Sequence, residues 1–268
     1  MSDLPKLSIL VSARKNSKYL AKFLAGFWAN FGGHCEVELI IMLNEADTWN
    51  DDVITTNEMI ARLTGPMKTT KVTLTVCRED LGLGRAGLHE YFNLLVAQST
   101  GDWVIYFCED HYFAMRGWDQ IIMDYIYGRI RSGDSDKLEF PLNSAEPWII
   151  VPQFDNAGPM NHIVSRGFIE AMDGKIGNHG WIDSYLNDLG FFIPDRVVSM
   201  NAPAIFHDFT HDVPNPMSDA HSQSVLSEEG KKLPKYRSKE YDELLLADKL
   251  KIKKALEGLN ANENDQQN

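Results

Sequence analysis

The sequence is poor in the features that mark several large protein classes. It has three cysteines in 268 residues, Cys35, Cys77 and Cys108, with no metal-binding spacing among them. A disulfide framework is thereby excluded, and reduced thiols in a cytoplasmic compartment are expected. No apolar run approaches the ~20 residues that a membrane-spanning helix needs, so no span is expected. The start, Met1-Ser-Asp-Leu-Pro-Lys6, lacks the charged-then-apolar layout of a secretory signal. Positive charge is also scarce: 26 Lys and Arg stand against 38 Asp and Glu, for a net charge of −12. From Leu226 onward nine basic residues balance nine acidic ones, so the first 225 residues carry the whole excess. A body this acidic repels a polyphosphate backbone, and binding to a nucleic-acid backbone is not expected. A small phosphorylated ligand stays compatible with it, given a metal ion and one or two local cations. No internal repeat is visible, which excludes solenoid architectures.

What is present suits one large folded domain with an appendage, with hydrophobic residues at 44% and charged residues at 24%. Leu7–Val11 is a short apolar strand, and Ser12-Ala-Arg-Lys-Asn-Ser17 a polar turn in which Ser17 can cap a helix. That helix carries Leu20, Phe23, Leu24, Phe27 and Phe31 at helical spacing. Glu36–Leu43 is a second strand ending in Asn44-Glu-Ala-Asp47, and a second helix is expected over Asp52–Leu63, ended by Gly65-Pro66. Lys71–Cys77 alternates as a third strand. Gly82-Leu-Gly-Arg-Ala-Gly87 then opens a helix with Leu88, Tyr91, Phe92 and Leu95 on one face. Strand–helix alternation of this kind predicts an α/β fold with a mostly parallel sheet and right-handed crossovers.

The chain is organised around Gly101–Asp119. Trp103–Phe107 is an unbroken apolar run, the pattern of a strand buried on both faces. It delivers Cys108, Glu109, Asp110 and His111 at its carboxyl end, where open α/β sheets bind ligands. An acidic pair beside an imidazole suits a divalent cation, and hard carboxylate oxygens favour Mg2+ or Mn2+. Beyond it, Trp118, Ile121, Ile122, Tyr125 and Ile126 mark a further helix. Leu138–Val151, broken by Pro141 and Pro147, reads as edge strands or a crossing segment. Ile163–Ser165 leads from a short strand into a helix. Ile182, Tyr185, Leu186 and Leu189 form the inward stripe of a helix whose Asp183 lies off that stripe, near its amino terminus. Phe191–Val198 reads as a last strand, Glu240–Leu256 as a charged amphipathic helix, and the stretch from Asn260 onward as disordered.

With those residues in view, the chain resembles the family 2-type glycosyltransferases of the GT-A fold, especially short single-domain members from bacteria and phages. The match runs from about Leu7 to Asp212. Its most specific part is Gly84-Arg-Ala, then Asn93, then Ala97-Gln-Ser-Thr-Gly-Asp-Trp103 and the acidic loop, in that order. The resemblance implies a GT-A domain over 1–215, with a nucleotide-binding half at 1–115 and an acceptor half at 116–215. A linker and C-terminal helix would occupy 216–258 and a disordered tail 259–268. It further implies a metal-dependent, inverting transfer of a hexosyl group from a nucleoside-diphosphate sugar, most often a UDP-sugar, to a hydroxyl of a carbohydrate or other acceptor.

The same resemblance assigns donor binding to Ser12, Ala13, Arg14 and Asn16 after strand one. Asn44, Glu45 and Asp47 follow strand two, Gly84 and Arg85 open the third helix, and Glu109 and Asp110 form the acidic loop. Asp110, Glu109 and His207 would hold Mn2+ or Mg2+, and Asp183 would be the base, although an aspartate also suits a first helical turn through the macrodipole. Trp118 reads as core, whereas Trp181 could stack on a sugar. The family's Asp-x-Asp slots fall on Cys108 and Asp110, and a cysteine is a poor ligand for magnesium. Three other readings stay open. A sugar-1-phosphate nucleotidyltransferase would need a glycine-rich loop after strand one, and Ser12–Ser17 contains no glycine. A non-catalytic nucleotide or carbohydrate binder would follow if Cys108 abolished metal binding. An oligomer or scaffold could form through the C-terminal helix, which otherwise packs back on the body.

Overall fold

The computed structural model describes residues 5–13, 17–44, 72–79, 87–108, 111–113, 115–130, 138–152, 161–200, 206–207 and 234–266. The apolar runs pair as parallel strands. β1 (Lys6–Ala13) lies between β2 (Glu36–Asn44) and a later strand, β4 (Trp103–Cys108), while β3 (Val72–Glu79) flanks β2. The direction then reverses. β7 (Ile163–Ser165) runs antiparallel to β4 and to β6 (Ile149–Pro152), and β6 is parallel to the edge strand β8 (Val197–Met200). The sheet order is β3-β2-β1-β4-β7-β6-β8, beside a two-stranded ribbon of β5 (His111–Tyr112) and β9 (Phe206–His207).

Helices cover both faces, as the near-continuous apolar strands require. On one face α1 (Ser17–Asn30) and a later helix, α3 (Trp118–Ile126), pack Phe23, Phe27, Trp118 and Ile122 against Ile9, Leu39, Ile105 and Phe107. The other face meets α2 (Leu88–Gln98), α4 (Arg166–Ala171), α5 (Ile182–Gly190) and α6 (Lys239–Gln266), through Tyr91, Phe92, Phe168, Tyr185 and Tyr241. β4 alternates between the two cores: Trp103, Ile105 and Phe107 enter one, Val104 and Tyr106 the other. Each such large side chain withdrawn from water contributes roughly 1.5–3 kcal/mol.

A buried carboxylate clamps the amino end of β4. Glu38 on β2, 7% exposed, accepts from the Ser8 hydroxyl at 2.8 Å, the Thr100 N–H at 2.7 Å and the Lys6 ammonium at 3.1 Å. Burial pushes this carboxyl up, but the Thr100, Ser8 and Lys6 donors outweigh burial and hold it below the ordinary glutamate value. Ser8 Oγ in turn accepts from the Gly101 N–H at 2.9 Å. A Cβ on Gly101 would lie 2.4 Å from that oxygen and 2.6 Å from the Ser8 nitrogen, so only glycine fits. Arg166 closes the cluster, donating to the Gly101 carbonyl at 2.7 and 2.9 Å and to Ser99 Oγ at 3.0 Å. The Gly-Asp-Trp signature therefore builds the sheet at the end opposite the acidic loop.

Three readings of the sequence change. Of Leu138–Val151, only the end is strand, and β6 is paired on both sides instead of lying at an edge; Pro141 and Pro147 fall in the irregular approach. Phe191–Val198 is not one strand. Pro194 fixes a 3-10 turn over Pro194–Arg196, and β8 starts only at Val197. The C-terminal helix runs on to Gln266, through the expected disordered tail, because extending a formed helix avoids the cost of nucleation. That helix packs on the body. Asp248, 1% exposed, accepts from Asn178 at 2.6 Å, from Lys251 at 2.9 Å and from the Tyr185 hydroxyl. The expected helix over Asp52–Leu63 and the linker after Pro214 lie outside the described residues. No helix among the described residues is long and apolar enough to cross a membrane.

Replacing Glu38 with Gln removes the charge facing the Lys6 ammonium and turns one buried acceptor oxygen into an NH2 that meets donors, and it should cost about 2–3 kcal/mol in urea unfolding at pH 7. Because the folded-state value is depressed, this margin is full above the unfolded glutamate value of about 4.3 and fades as pH falls through the lower folded value. Equal urea midpoints for the two proteins at pH 7 would rule the clamp out.

Candidate active site

The parallel register brings the carboxyl ends of the first four strands level. Ser12 of β1 pairs with Met42 of β2 and Cys108 of β4, Ala13 pairs with Leu43, and Asn44 pairs with Glu79 of β3. Ser12 and Ala13 are buried at the end of β1. Arg14, Asn16, Glu45, Asp47, Gly84, Arg85, Glu109 and Asp110 lie outside the described residues. In the chain, however, Arg14 directly follows β1, Glu45 follows β2, and Glu109 follows β4.

Two residues separate β4 from β5. α1 holds β5 close: the Asn30 amide donates to the Phe113 carbonyl at 2.8 Å, and a Cβ on Gly26 would come within 2.8 Å of that same oxygen. β5 pairs His111 with His207 of β9. The chain thus returns from about a hundred residues away to set the backbone of His207 opposite the residue after Asp110. Two carboxylates and an imidazole form a donor set that fits Mn2+ or Mg2+. No cluster of three metal-ligating side chains occurs among the described residues alone.

Asp183 sits in the first turn of α5, beneath a set of partners from other elements. Its Oδ1 accepts the Asn161 N–H at 2.8 Å and the Tyr106 hydroxyl, and His162 Nδ1 lies 3.7 Å away. His162 is fully buried, with Nδ1 3.3 Å from the Tyr106 hydroxyl and Nε2 2.9 Å from Asn187 Oδ1. Among the described residues Asp183 Oδ2 makes no hydrogen bond, and the side chain is 30% exposed. Burial pushes the carboxyl up, yet contact with His162, the Tyr106 hydroxyl and the Asn161 N–H together hold it below the ordinary aspartate value. Burial and the adjacent Asp183 charge drive the Tyr106 phenol well above its ordinary value, so it stays a donor. The macrodipole alone does not account for this arrangement. Asp183 is a carboxylate ionised at neutral pH, with Oδ1 accepting two hydrogen bonds.

Asn161 holds the cluster to β4. Its φ of 52° is left-handed, which turns its N–H to Asp183 while its amide donates to the Tyr106 carbonyl at 2.6 Å. Its own Oδ1 is buried without a partner among the described residues. Sequence reasoning passed over Tyr106, Asn161 and His162. A lone hydroxyl inside an apolar strand and an Asn-His pair just before a strand were the available signals. Trp118 is fully buried, as expected of a core residue, whereas Trp181 is 49% exposed at the start of α5.

No protein-family model and no curated protein sequence matches the chain. Solved structures do match in fold. The S. aureus protein TarS aligns with a TM-score of 0.51 at 12% identity, over 91% of this chain and 43% of that one. Its 1–349 fragment, solved with UDP-GlcNAc, aligns at the same TM-score over 90% and 70%. The mannosyltransferase PcManGT of Pyrobaculum calidifontis, solved with GDP-Man and Mn2+, gives 0.52 at 13% identity, over 97% and 76%. Glucosyl-3-phosphoglycerate synthase of Mycobacterium tuberculosis, solved with Mn2+ and UDP, gives 0.50 at 12%, over 82% and 76%. The chain spans less than half of the full TarS chain. These neighbours are GT-A glycosyltransferases, and the chain has their fold.

Asn161→Gly and Asn161→Ala both lose the bond to the Tyr106 carbonyl, but only alanine is strained at a left-handed φ. In urea unfolding the alanine variant should be the less stable of the two by about 1 kcal/mol. Equal stabilities would show that the left-handed backbone carries no cost.

Proposed function

We propose that the chain is a hexosyl-type glycosyltransferase, moving a sugar with inversion from a nucleoside-diphosphate sugar, a UDP-sugar first among them, to a hydroxyl of a carbohydrate or other acceptor. The observation that carries this reading is Asp183: a carboxylate held ionised beside the strand that ends in the acidic loop, within a GT-A fold, with one oxygen making no hydrogen bond among the described residues. A base must take the acceptor proton as the new bond forms, and an ionised carboxylate can accept it at neutral pH. The acceptor oxygen bonds to the anomeric carbon, its proton passes to Asp183, and the carbon–oxygen bond to the diphosphate breaks with its electron pair on the leaving nucleotide. Alignment of the two substrates supplies a large part of the acceleration.

In this reading the donor lies along the carboxyl ends of the strands. Ser12, Ala13, Arg14 and Asn16 contact base and ribose, with Asn44, Glu45 and Asp47 on the ribose side, since a carboxylate accepts from its hydroxyls. Gly84 and Arg85 approach the diphosphate. Asp110, with Glu109 and His207, would hold Mn2+ or Mg2+, which when bound stabilises charge on the departing diphosphate. Cys108 in the first acidic slot favours one competing reading, a nucleotide or sugar binder without catalysis. A reducing, cytoplasmic setting, in keeping with three cysteines and no disulfide framework in the sequence, belongs to the same reading.

Asp183→Asn should lower kcat for sugar transfer by roughly 10²–10⁴-fold, leaving thermal stabilisation by UDP with Mn2+ intact. Asp110→Ala should abolish the manganese dependence of that stabilisation. UDP stabilisation without any donor turnover in the wild-type protein would favour the binder. Full transfer activity in Asp183→Asn would overturn the assignment of the base.

A further inference from the structure

The polar cluster behind Asp183 does more than fill space. We propose that Tyr106 and His162 are positioning residues that decide which oxygen of Asp183 takes the acceptor proton, by occupying Oδ1 and leaving Oδ2 to act. This rests on the reading of Asp183 as the base.

Proton accounting fixes the roles. The Tyr106 hydroxyl has one proton, and it is donated to Asp183 Oδ1. The phenol oxygen can then only accept, and the neighbour 3.3 Å away is His162 Nδ1, so Nδ1 must carry hydrogen. On the far side of the ring, Nε2 lies 2.9 Å from the end of the Asn187 side chain, placed as Oδ1. With the hydrogen on Nδ1 of a neutral ring, the Asn187 amide presents its NH2 to Nε2 instead, the exchange of amide O and N that hydrogen bonding decides. The Asn161 N–H supplies a second donor to Oδ1. A proton arriving at Oδ1 would have to displace a made hydrogen bond in a buried site. At Oδ2 it meets no such competition from the described residues.

The step therefore balances in one way. The acceptor O–H breaks toward Oδ2, and Oδ1 keeps its two donors as the carbonyl oxygen of the neutral acid. The groups facing the carboxylate are Tyr106 from β4, His162 and the Asn161 N–H from the segment before β7, and Asn187 behind the imidazole on α5. The Cys108 thiol lies beyond Tyr106 on β4 and adds a further charge-sensitive neighbour to the phenol. The donors make Asp183 a weaker base than a free aspartate and hold its titration below the ordinary aspartate value.

Tyr106→Phe keeps the ring and deletes one donor. With a donor lost, the Asp183 titration followed by carbon NMR should move to higher pH. The acid limb of kcat/KM should move the same way, with kcat down roughly tenfold and donor KM unchanged. A purely structural tyrosine would lower the melting temperature and leave both titrations in place, and that result overturns the proposal. If Tyr106→Phe does not fold, Asn187→Ala, which unties the imidazole at the helix surface, should shift the same titration upward, and no shift counts equally against it. The NMR titration is read on the resting protein. It tests the donor pair even if Asp183→Asn retains transfer, which would defeat the base assignment alone.

Discussion

The candidate site depends on β4 being held at both ends. At its amino end the buried Glu38 carboxylate gathers Ser8, Lys6 and Thr100, and Gly101 lets β1 approach to within van der Waals contact. Near its carboxyl end, the Tyr106 carbonyl accepts from Asn161 while its hydroxyl donates to Asp183. Between these points both faces of the strand are buried. Close packing transmits a shift at one end to the other, so the amino-end clamp and the polar cluster beneath Asp183 share one rigid rod.

The first half of the sheet was legible in the sequence because its strands are apolar on both faces and its helices keep one-sided stripes. Leu7–Val11, Glu36–Leu43 and Trp103–Phe107 all became central parallel strands, the first extended by three residues and the other two by one. The second half was harder to read, since β6, β7 and β8 are three or four residues long. Periodicity carries little information at that length. Asp183 could be singled out because it sits off the stripe of its helix. Its partners could not, because Tyr106 is indistinguishable from a core aromatic until β7 is placed beside it. The Gly-Asp-Trp signature was legible as the entrance to β4, and from that end it supports the site through the strand and does not line it.

The C-terminal helix packs on the side of the sheet that carries α5. Tyr241, Leu245 and Ile252 join the core under α5, and the Asp248 carboxylate bonds Asn178 and Tyr185 from the segment on either side of Asp183. Burial and the Asp248 carboxylate raise the Tyr185 phenol far above its ordinary value, so it stays the donor in this contact. The helix thereby ties down residues on both sides of Asp183. Leu246 and Leu250 remain exposed on its outer side.

The reversal of direction at β7 has a geometric outcome. A strand running alongside β4 in the same sense would begin where β4 begins, sending whatever precedes it to the far rim. By coming in head to tail, β7 lets Asn161 and His162 arrive at the mouth of the sheet from the second half of the chain. A single reversed strand thus folds two distant stretches of sequence into one carboxylate's surroundings.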